Sequence, residues 1–142
     1  MAEINARASA PVLKLSDNHG INIKRTSASA LPVGAIVHLT SGGTVDRCTP
    51  TQTPLGTVVV STGVSGDEVT VCTHAHAVID ATASGNIATG ALVSQTSATG
   101  DRPTVAATAN GQFVHGIVLQ GGNNGTVIRV AIIPPFRNTA AA

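Results

Sequence analysis

The sequence has 142 residues, a formal net charge of +1 at pH 7, and charged residues amounting to only 11%. This balance argues against a protein that binds nucleic acid through phosphate contacts, which needs a basic stripe, and against an acidic disordered tail. No segment approaches the roughly 20 apolar residues of a membrane span, and the first residues lack the apolar run of a secretory signal. We therefore expect synthesis in the cytoplasm and contact with neither nucleic acid nor membrane.

Residues 1–30 differ from the rest of the chain. Charged residues concentrate there, and no hairpin signal is recognisable. We interpret this segment as an extended N-terminal arm. An alternative is that it supplies one or two edge strands, because "VLKL" and "INIK" alternate between apolar and polar residues.

The following hundred or so residues are dominated by strand signals. Segments rich in β-branched residues are bounded by clusters of Gly, Pro, Asn, Asp and Ser, and no segment shows helical periodicity with caps. Turn dipeptides such as Asn124-Gly125 favour hairpins. The stretch 79–88 is a joint with room for one helical turn, and the chain after Pro134-Pro135 cannot continue a central strand and is expected to run over the surface. The predicted strands cover 34–40, 57–62, 68–79, 90–95, 115–120 and 126–133.

Composition also bounds the core. With two Phe, no Trp and no Tyr, the core must consist of Val, Ile, Leu, Ala and Thr. Because discrete binding patches favour aromatic anchors, their scarcity points to broad or backbone-mediated contacts. The two cysteines, Cys48 and Cys72, are too few for a disulfide framework and fit free thiols.

One arrangement of short motifs occurs twice. "GAIVHLTSGGTV" from Gly34 reappears as "GALVSQTSATGDRPTV" from Gly90, and Gly56-Thr57-Val58-Val59 reappears as Gly116-Ile117-Val118-Leu119. A repeated supersecondary unit usually means that one copy cannot cover its own apolar face. We predict an all-β fold, a compact barrel or sandwich of short strands built from two similar repeats. The expected organisation is an arm at 1–30, a duplicated domain at 31–133 with repeats of about 31–79 and 87–133, and a tail at 134–142.

The sharpest chemical constellation is Cys72, His74 and His76. In a strand these alternate residues share a face, and thiolate and imidazole are zinc ligands, with Cys48 or water as a possible fourth. The alternative is that they lie on the solvent or subunit face of a long strand. Structural zinc sites bring paired ligands from separate elements, a spacing that is absent here, so we assign no metal site.

Catalytic signatures find little support. There is no G-x-S-x-G motif, and the adjacent carboxylates Asp67 and Glu68 would face opposite ways in a strand. No Gly-Lys dipeptide exists, so a P-loop is excluded. We predict that the protein is not an enzyme and holds no cofactor. Scattered histidines are expected at the surface or in turns: His19, His38 and His115.

The order of the repeated marks carries a family resemblance. These marks are Gly-Ala-[Ile/Leu]-Val, [Leu/His]-Gly-x-Val and Gly-x-x-Val-x-Val, each used twice between about residues 31 and 133. In this respect the chain resembles phage capsid cement or head decoration proteins. Members of that family have sometimes been labelled ATP-dependent recombinases, a label that the missing P-loop contradicts.

The resemblance implies a virion protein that binds the outer surface of a phage capsid and stabilises the shell, after synthesis in the host cytoplasm. Its partner would be the major capsid protein, and a homo-oligomer is expected, with a trimer favoured. We expect the N-terminal arm to order on the capsid as an added strand, its cations meeting acidic residues. The alternative is a phage tail or fibre subunit or a carbohydrate-binding β module. The proposed capsid-contacting residues are Arg7, Lys14, Lys24 and Arg25.

Overall fold

The computed structural model describes residues 21–73 and 77–139. All the regular structure within these ranges is extended, and no helix there is long and apolar enough to span a membrane. The strands are β1 (Asn22–Thr26), β2 (Ile36–Leu39), β3 (Val45–Arg47), β4 (Gly56–Val60), β5 (Glu68–Cys72), β6 (Val78–Ala83), β7 (Leu92–Ser97), β8 (Thr104–Ala107), β9 (Phe113–Gln120) and β10 (Val127–Arg137).

The strands form two units of the same topology, which we call repeat one (β1–β5) and repeat two (β6–β10). Repeat one is a 5-stranded sheet in the order β1-β5-β4-β2-β3, and an isolated parallel bridge between Ser27 and Val45 joins its two ends. Repeat two is a closed barrel in the order β10-β6-β8-β7-β9, in which β6 and β8 make the corresponding parallel pair. The predicted all-β fold built from two similar repeats is confirmed.

The strand registers of the two repeats match residue by residue. Ile23 lies opposite Val71 in β1 and β5, and Ile79 lies opposite Val130 in β6 and β10. Ala83 pairs with Val105 in repeat two, as Ser27 does with Val45 in repeat one. These registers define equivalent positions, which allow the two repeats to be compared directly.

A β-bulge recurs at equivalent positions. In repeat one the pairing of β4 with β5 slips between Val58 and Val60, and in repeat two the pairing of β9 with β10 slips between Val118 and Gln120. The extra residue is Val59 in the first case and Leu119 in the second. Because a bulge bends and twists its strand, its repetition gives both units the same curvature.

The repeated glycine of the [Leu/His]-Gly-x-Val mark is required by close packing of strands. A Cβ on Gly56 would lie 2.1 Å from the carbonyl oxygen of Cys72, and one on Gly116 would lie 2.5 Å from Val130 Cγ1 and 2.8 Å from the carbonyl oxygen of Ala131. Any larger residue would force two strands apart. The same close approach of two strands therefore explains why both repeats have a glycine at this position.

The two repeats share their cores. The apolar cluster inside repeat two includes Ile36 and Cys48 from repeat one, and the cluster inside repeat one includes Ala98 from repeat two. Valine, isoleucine, leucine and alanine make up most of both clusters, as the composition predicts. The repeats are therefore packed into one body along a joint that we call the junction.

The predicted strands omit β3 and β8, and three segments differ from the expectations. The strand predicted over 68–79 is divided, because β5 ends at Cys72 in repeat one and β6 begins at Val78 in repeat two. Strand β10 continues through Pro134 and Pro135 to Arg137, since both prolines lie in a register irregularity where no ladder hydrogen bond is needed. The predicted joint at 79–88 holds β6 and a turn rather than a helical turn.

Candidate functional site

Two of the four predicted capsid-contacting residues lie on β1. Lys24 and Arg25 are exposed, and Lys24 Nζ lies 4.0 Å from Glu68 Oε1 on the neighbouring strand. Arg25 Nη1 donates a hydrogen bond to the backbone oxygen of Lys24 at 3.1 Å. Arg7 and Lys14 lie outside the described residues.

Strand β1 has one backbone edge that is covered only at its C-terminal end, where Ala28 N donates to Val45 O at 2.8 Å beside the parallel bridge to β3. Thr73 N donates to Ile21 O, and Ser27 N donates to Asp67 O, so the odd-numbered residues of β1 bond with β5. In an antiparallel pair the intervening residues direct their N–H and C=O groups to the other side. Those groups belong to Asn22, Lys24 and Thr26, and the described strands leave the edge uncovered at Asn22 and Lys24.

The cationic character of this strand is confined to repeat one. At the positions of Lys24 and Arg25, repeat two has Asp80, which is exposed, and Ala81, which is fully buried. Arg25 thus stands where a buried alanine completes the barrel of repeat two.

One end of repeat one is apolar as well as exposed. Val33 lies in the connection from β1 to β2, Val60 at the end of β4, and Val64 in the connection from β4 to β5. All three side chains are more than half exposed. Ser27 Oγ donates to Val64 O at 3.3 Å, which places this apolar end beside the end of β1. We call Val33, Val60 and Val64 the valine end.

The equivalent end of repeat two is polar. Val60 lies opposite Thr70 beyond the bulge just as Gln120 lies opposite Arg129. Val64 O accepts from Asp67 N as Asn123 O accepts from Thr126 N. The same backbone therefore carries valines in repeat one and polar residues in repeat two. The replacements are Thr89, Gln120 and Asn123.

The cysteines do not come together in the structure. Cys48 is buried at the junction, where Sγ donates weakly to Gln52 O at 3.3 Å, and burial raises the pKa of its thiol to about 12. Cys72 is half-buried at the end of β5, while His74 and His76 lie outside the described residues. Within 21–73 and 77–139, no three His, Cys, Asp or Glu side chains form a metal-binding group.

A buried glutamine holds the junction together. Gln95 on β7 is fully buried, and its amide nitrogen donates to Ile36 O at 2.8 Å and to Cys48 O at 2.9 Å. Its amide oxygen accepts from Ile36 N at 2.8 Å. This one side chain therefore pairs with backbone groups of repeat one as a neighbouring strand would. Its sequence context does not indicate this role, because Gln95 lies between Ser94 and Thr96 in a polar stretch of the strand, which is typical of an exposed segment.

His115, expected at the surface or in a turn, is instead buried within β9 with only 2% exposure. Its Nδ1 accepts from Gln95 N at 2.9 Å, and Nε2 has no hydrogen-bond partner among the described residues. Burial lowers the pKa of the ring to about 4, so the ring is neutral near pH 7. The ring also lines a pocket of about 90 Å³ between the repeats, with walls that include Leu55 and Ile133.

Comparison with known proteins finds a likeness in structure. No protein-family model matches the sequence, and no curated protein matches it. Among solved structures, the chain is similar to the N base of head fiber gp8.5 in bacteriophage phi29, with a TM-score of 0.57 and 17% sequence identity. The match covers 86% of this chain and 98% of that one. At this identity the likeness establishes a common fold, which includes both repeats.

Proposed function

We propose that this chain is a structural protein of a phage virion that binds the outer surface of the capsid and stabilises the shell, with no catalytic activity of its own. The observation that carries the proposal is the shared fold with a phage head fiber base over most of both chains. The sequence resemblance to capsid decoration proteins rests on different evidence, the duplicated glycine and valine marks. Both the fold likeness and the sequence resemblance favour a protein of the phage head.

The surface that fits this role is on repeat one. It combines the cations Lys24 and Arg25, the open edge of β1 and the neighbouring valine end, whereas repeat two has none of these features at equivalent positions. Exposed apolar side chains next to charged ones are typical of interaction surfaces. An open strand edge can also accept a strand from the partner. The partner we propose is the major capsid protein.

The mechanism is thermodynamic linkage. A protein that binds the intact lattice and not its disrupted form shifts the equilibrium toward the intact shell by mass action. Because the contact is repeated at many lattice positions, a modest free energy per site is enough.

The direct test is co-sedimentation of the purified chain with phage shells from which it has been stripped. We expect saturable binding at a fixed ratio to the coat subunit and a higher melting temperature of the shell. Absence of binding to such shells at low ionic strength would contradict the proposal. Binding must be read by gel, because the chain has no Trp or Tyr.

The cationic part of the surface is tested by charge removal. The double variant Lys24→Gln/Arg25→Gln should bind several-fold more weakly, and the difference should shrink at high salt because exposed charges are screened. The matched control is Arg102→Gln/Arg129→Gln, which removes the same charge from repeat two. Equal losses in both variants would point to net charge rather than to this surface.

The valine end is tested by exchanging residues between repeats. Val60→Gln/Val64→Asn introduces the side chains of repeat two onto a backbone that already tolerates them there. If the valines contact the coat protein, binding should fall by more than tenfold, since burial of each is worth about 1.5–3 kcal/mol. Val127→Gln, at an exposed valine of repeat two, should bind as the parent does.

A second candidate is the base of a head fibre, favoured by the name of the structural neighbour. A fibre base needs only to attach to the shell, whereas a cement protein must also stabilise it. Binding without any change in the melting temperature of the shell would therefore favour the fibre base.

A further inference from the structure

The junction buries a specific face of each repeat. From repeat one, Gly34 approaches so closely that a Cβ there would lie 3.5 Å from Ile79 Cβ and from Pro103 Cδ of repeat two. Ile36 is 3% exposed because it packs into the core of repeat two, and Gln95 of repeat two reaches back to bond it at 0% exposure. These residues mark the two sides of the junction.

In each repeat, the surface equivalent to the other repeat's junction face is exposed. Leu92 holds the position of Ile36 in repeat two and is 37% exposed, and Leu39 holds the position of Gln95 in repeat one and is 49% exposed. Gly90 corresponds to Gly34, and a Cβ there would meet nothing within 4 Å. Repeat two therefore has, exposed around Leu92, the face that repeat one buries in the junction around Ile36. Repeat one has, exposed around Leu39, the face that repeat two buries around Gln95.

We propose that copies of this chain associate head to tail by using the junction a second time, between molecules. The Leu92 face (Gly90, Leu92 and Thr108) of one copy would pack on the Leu39 face (Ile23, Leu39 and Gly43) of the next. Such a contact joins two different surfaces and closes into a ring when the rotation per copy allows it. The occupant of each face is a second copy, because the internal junction already shows that the backbones of these two faces fit together.

The side chains of the two faces suit an intermolecular contact. Inside the chain the junction depends on Gln95, whose bonds with backbone groups need a fixed register. Between copies a leucine replaces it, so the contact removes two exposed leucines from water but offers no acceptor to Leu92 N, the equivalent of Ile36 N, and is therefore weaker than the internal junction. Three copies would place six repeats around one axis.

The contact leaves the proposed capsid surface accessible. Asp80 is the equivalent of Lys24 and remains exposed beside the internal junction, where it pairs with Arg129. Lys24 would be exposed in the same way beside the contact between copies. The self-association can therefore be tested in the absence of capsids, and it does not depend on the proposed function.

The test is sedimentation equilibrium of the full chain and of two single variants at micromolar concentration. The parent should sediment as a closed oligomer, whereas Leu39→Asp and Leu92→Asp should each lose it. Both leucines are exposed, so the variants should keep the far-ultraviolet circular dichroism of the parent. The control Val127→Glu, whose equivalent in repeat one is Glu68, should assemble as the parent does.

An equimolar mixture of the two variants distinguishes this contact from a symmetric one. Each variant retains one intact face, so the mixture should form a dimer with one copy of each and nothing larger. A monomeric parent would overturn the proposal. So would oligomers unchanged in both variants, or folded variants whose mixture stays monomeric.

Discussion

In repeat one, leucines occupy positions 39 and 55, of which Leu39 is exposed and Leu55 is half-buried; at the equivalent positions repeat two has Gln95 and His115, both buried. Over the same backbone the duplicated glycines, the bulge and the strand registers recur in both repeats. The features shared by the two repeats are those that allow the strands of each sheet to pair closely and curve. The features that diverged are the side chains that decide what each unit contacts.

The largest expected effect comes from replacing the glycine that both repeats share next to a paired strand. Gly56→Ala and Gly116→Ala place a Cβ within 2.1 Å and 2.5 Å of neighbouring atoms. Each should lower the free energy of unfolding by about 3 kcal/mol or more, because the clash at each glycine includes the backbone of a paired strand. Urea denaturation followed by circular dichroism measures the loss.

The control for these variants is Gly42→Ala. A Cβ there would meet only Thr40 Oγ1, at 3.9 Å, so the change should be within about 0.5 kcal/mol of zero. If the alanines at 56 and 116 were tolerated equally well, the close approach would not be the reason for the duplicated glycine.

The difference between Gln95 and its equivalent Leu39 is tested by giving each repeat the residue of the other. Gln95→Leu introduces the side chain of repeat one and leaves Ile36 N and Cys48 O buried without this partner. We expect a loss of about 2–4 kcal/mol, the cost of two unsatisfied backbone groups. The reciprocal change Leu39→Gln is at an exposed position and should be nearly neutral, which the same denaturation experiment would show.

His115 should make the stability of the fold depend on pH. Its pKa is about 4 in the folded chain, because burial disfavours the charged ring, and 6.5 is the ordinary value. Below pH 6.5 the unfolded chain binds a proton that the folded chain does not, so stability is complete above pH 6.5 and falls as the pH drops toward 4. The loss should reach about 3 kcal/mol at pH 4.

The variant His115→Leu isolates this effect, since leucine occupies the equivalent position in repeat one. It should be less stable than the parent at pH 7, because Gln95 N loses its acceptor. Between pH 6.5 and 4 its stability should fall less steeply than that of the parent. Parallel curves for the two proteins would show that the ring titrates normally.

Much of this architecture could be predicted from the sequence. The duplicated glycines and the β-branched runs between them located β2, β4, β5, β7, β9 and β10, because close approach and tight turns restrict those positions to glycine. The short strands β3 and β8 were not predicted. The first strand of each unit is harder to align, since Asn22–Thr26 and Val78–Ala83 share little beyond Ile23 and Ile79. Their equivalence depends on pairing with β5 and β10, which lie far along the chain.

The junction could not be predicted from the sequence. Gln95 lies between two polar residues and His115 between a valine and a glycine, so neither strand pattern indicates a buried polar side chain, and their burial depends on how the other repeat packs against them. The division of the segment 68–79 between two sheets has the same origin, because each half pairs with its own repeat. Likewise, the prolines at 134 and 135 fit within β10 because of a local irregularity in its register.

The smallest expected difference between the repeats is in their exposed ion pairs. Arg129 Nε lies 3.3 Å from Asp80 Oδ1 across directly opposed strand positions, whereas Lys24 Nζ is 4.0 Å from Glu68 Oε1 on a diagonal. Exposed pairs contribute about 0.2–1 kcal/mol, so Asp80→Asn should cost a few tenths and Glu68→Gln less. High salt should remove both effects by screening, because neither pair is buried. A larger loss in Glu68→Gln would mean that the charge on β1 stabilises repeat one in some way other than through this pair, and that the two repeats differ in their stability as well as in their surfaces.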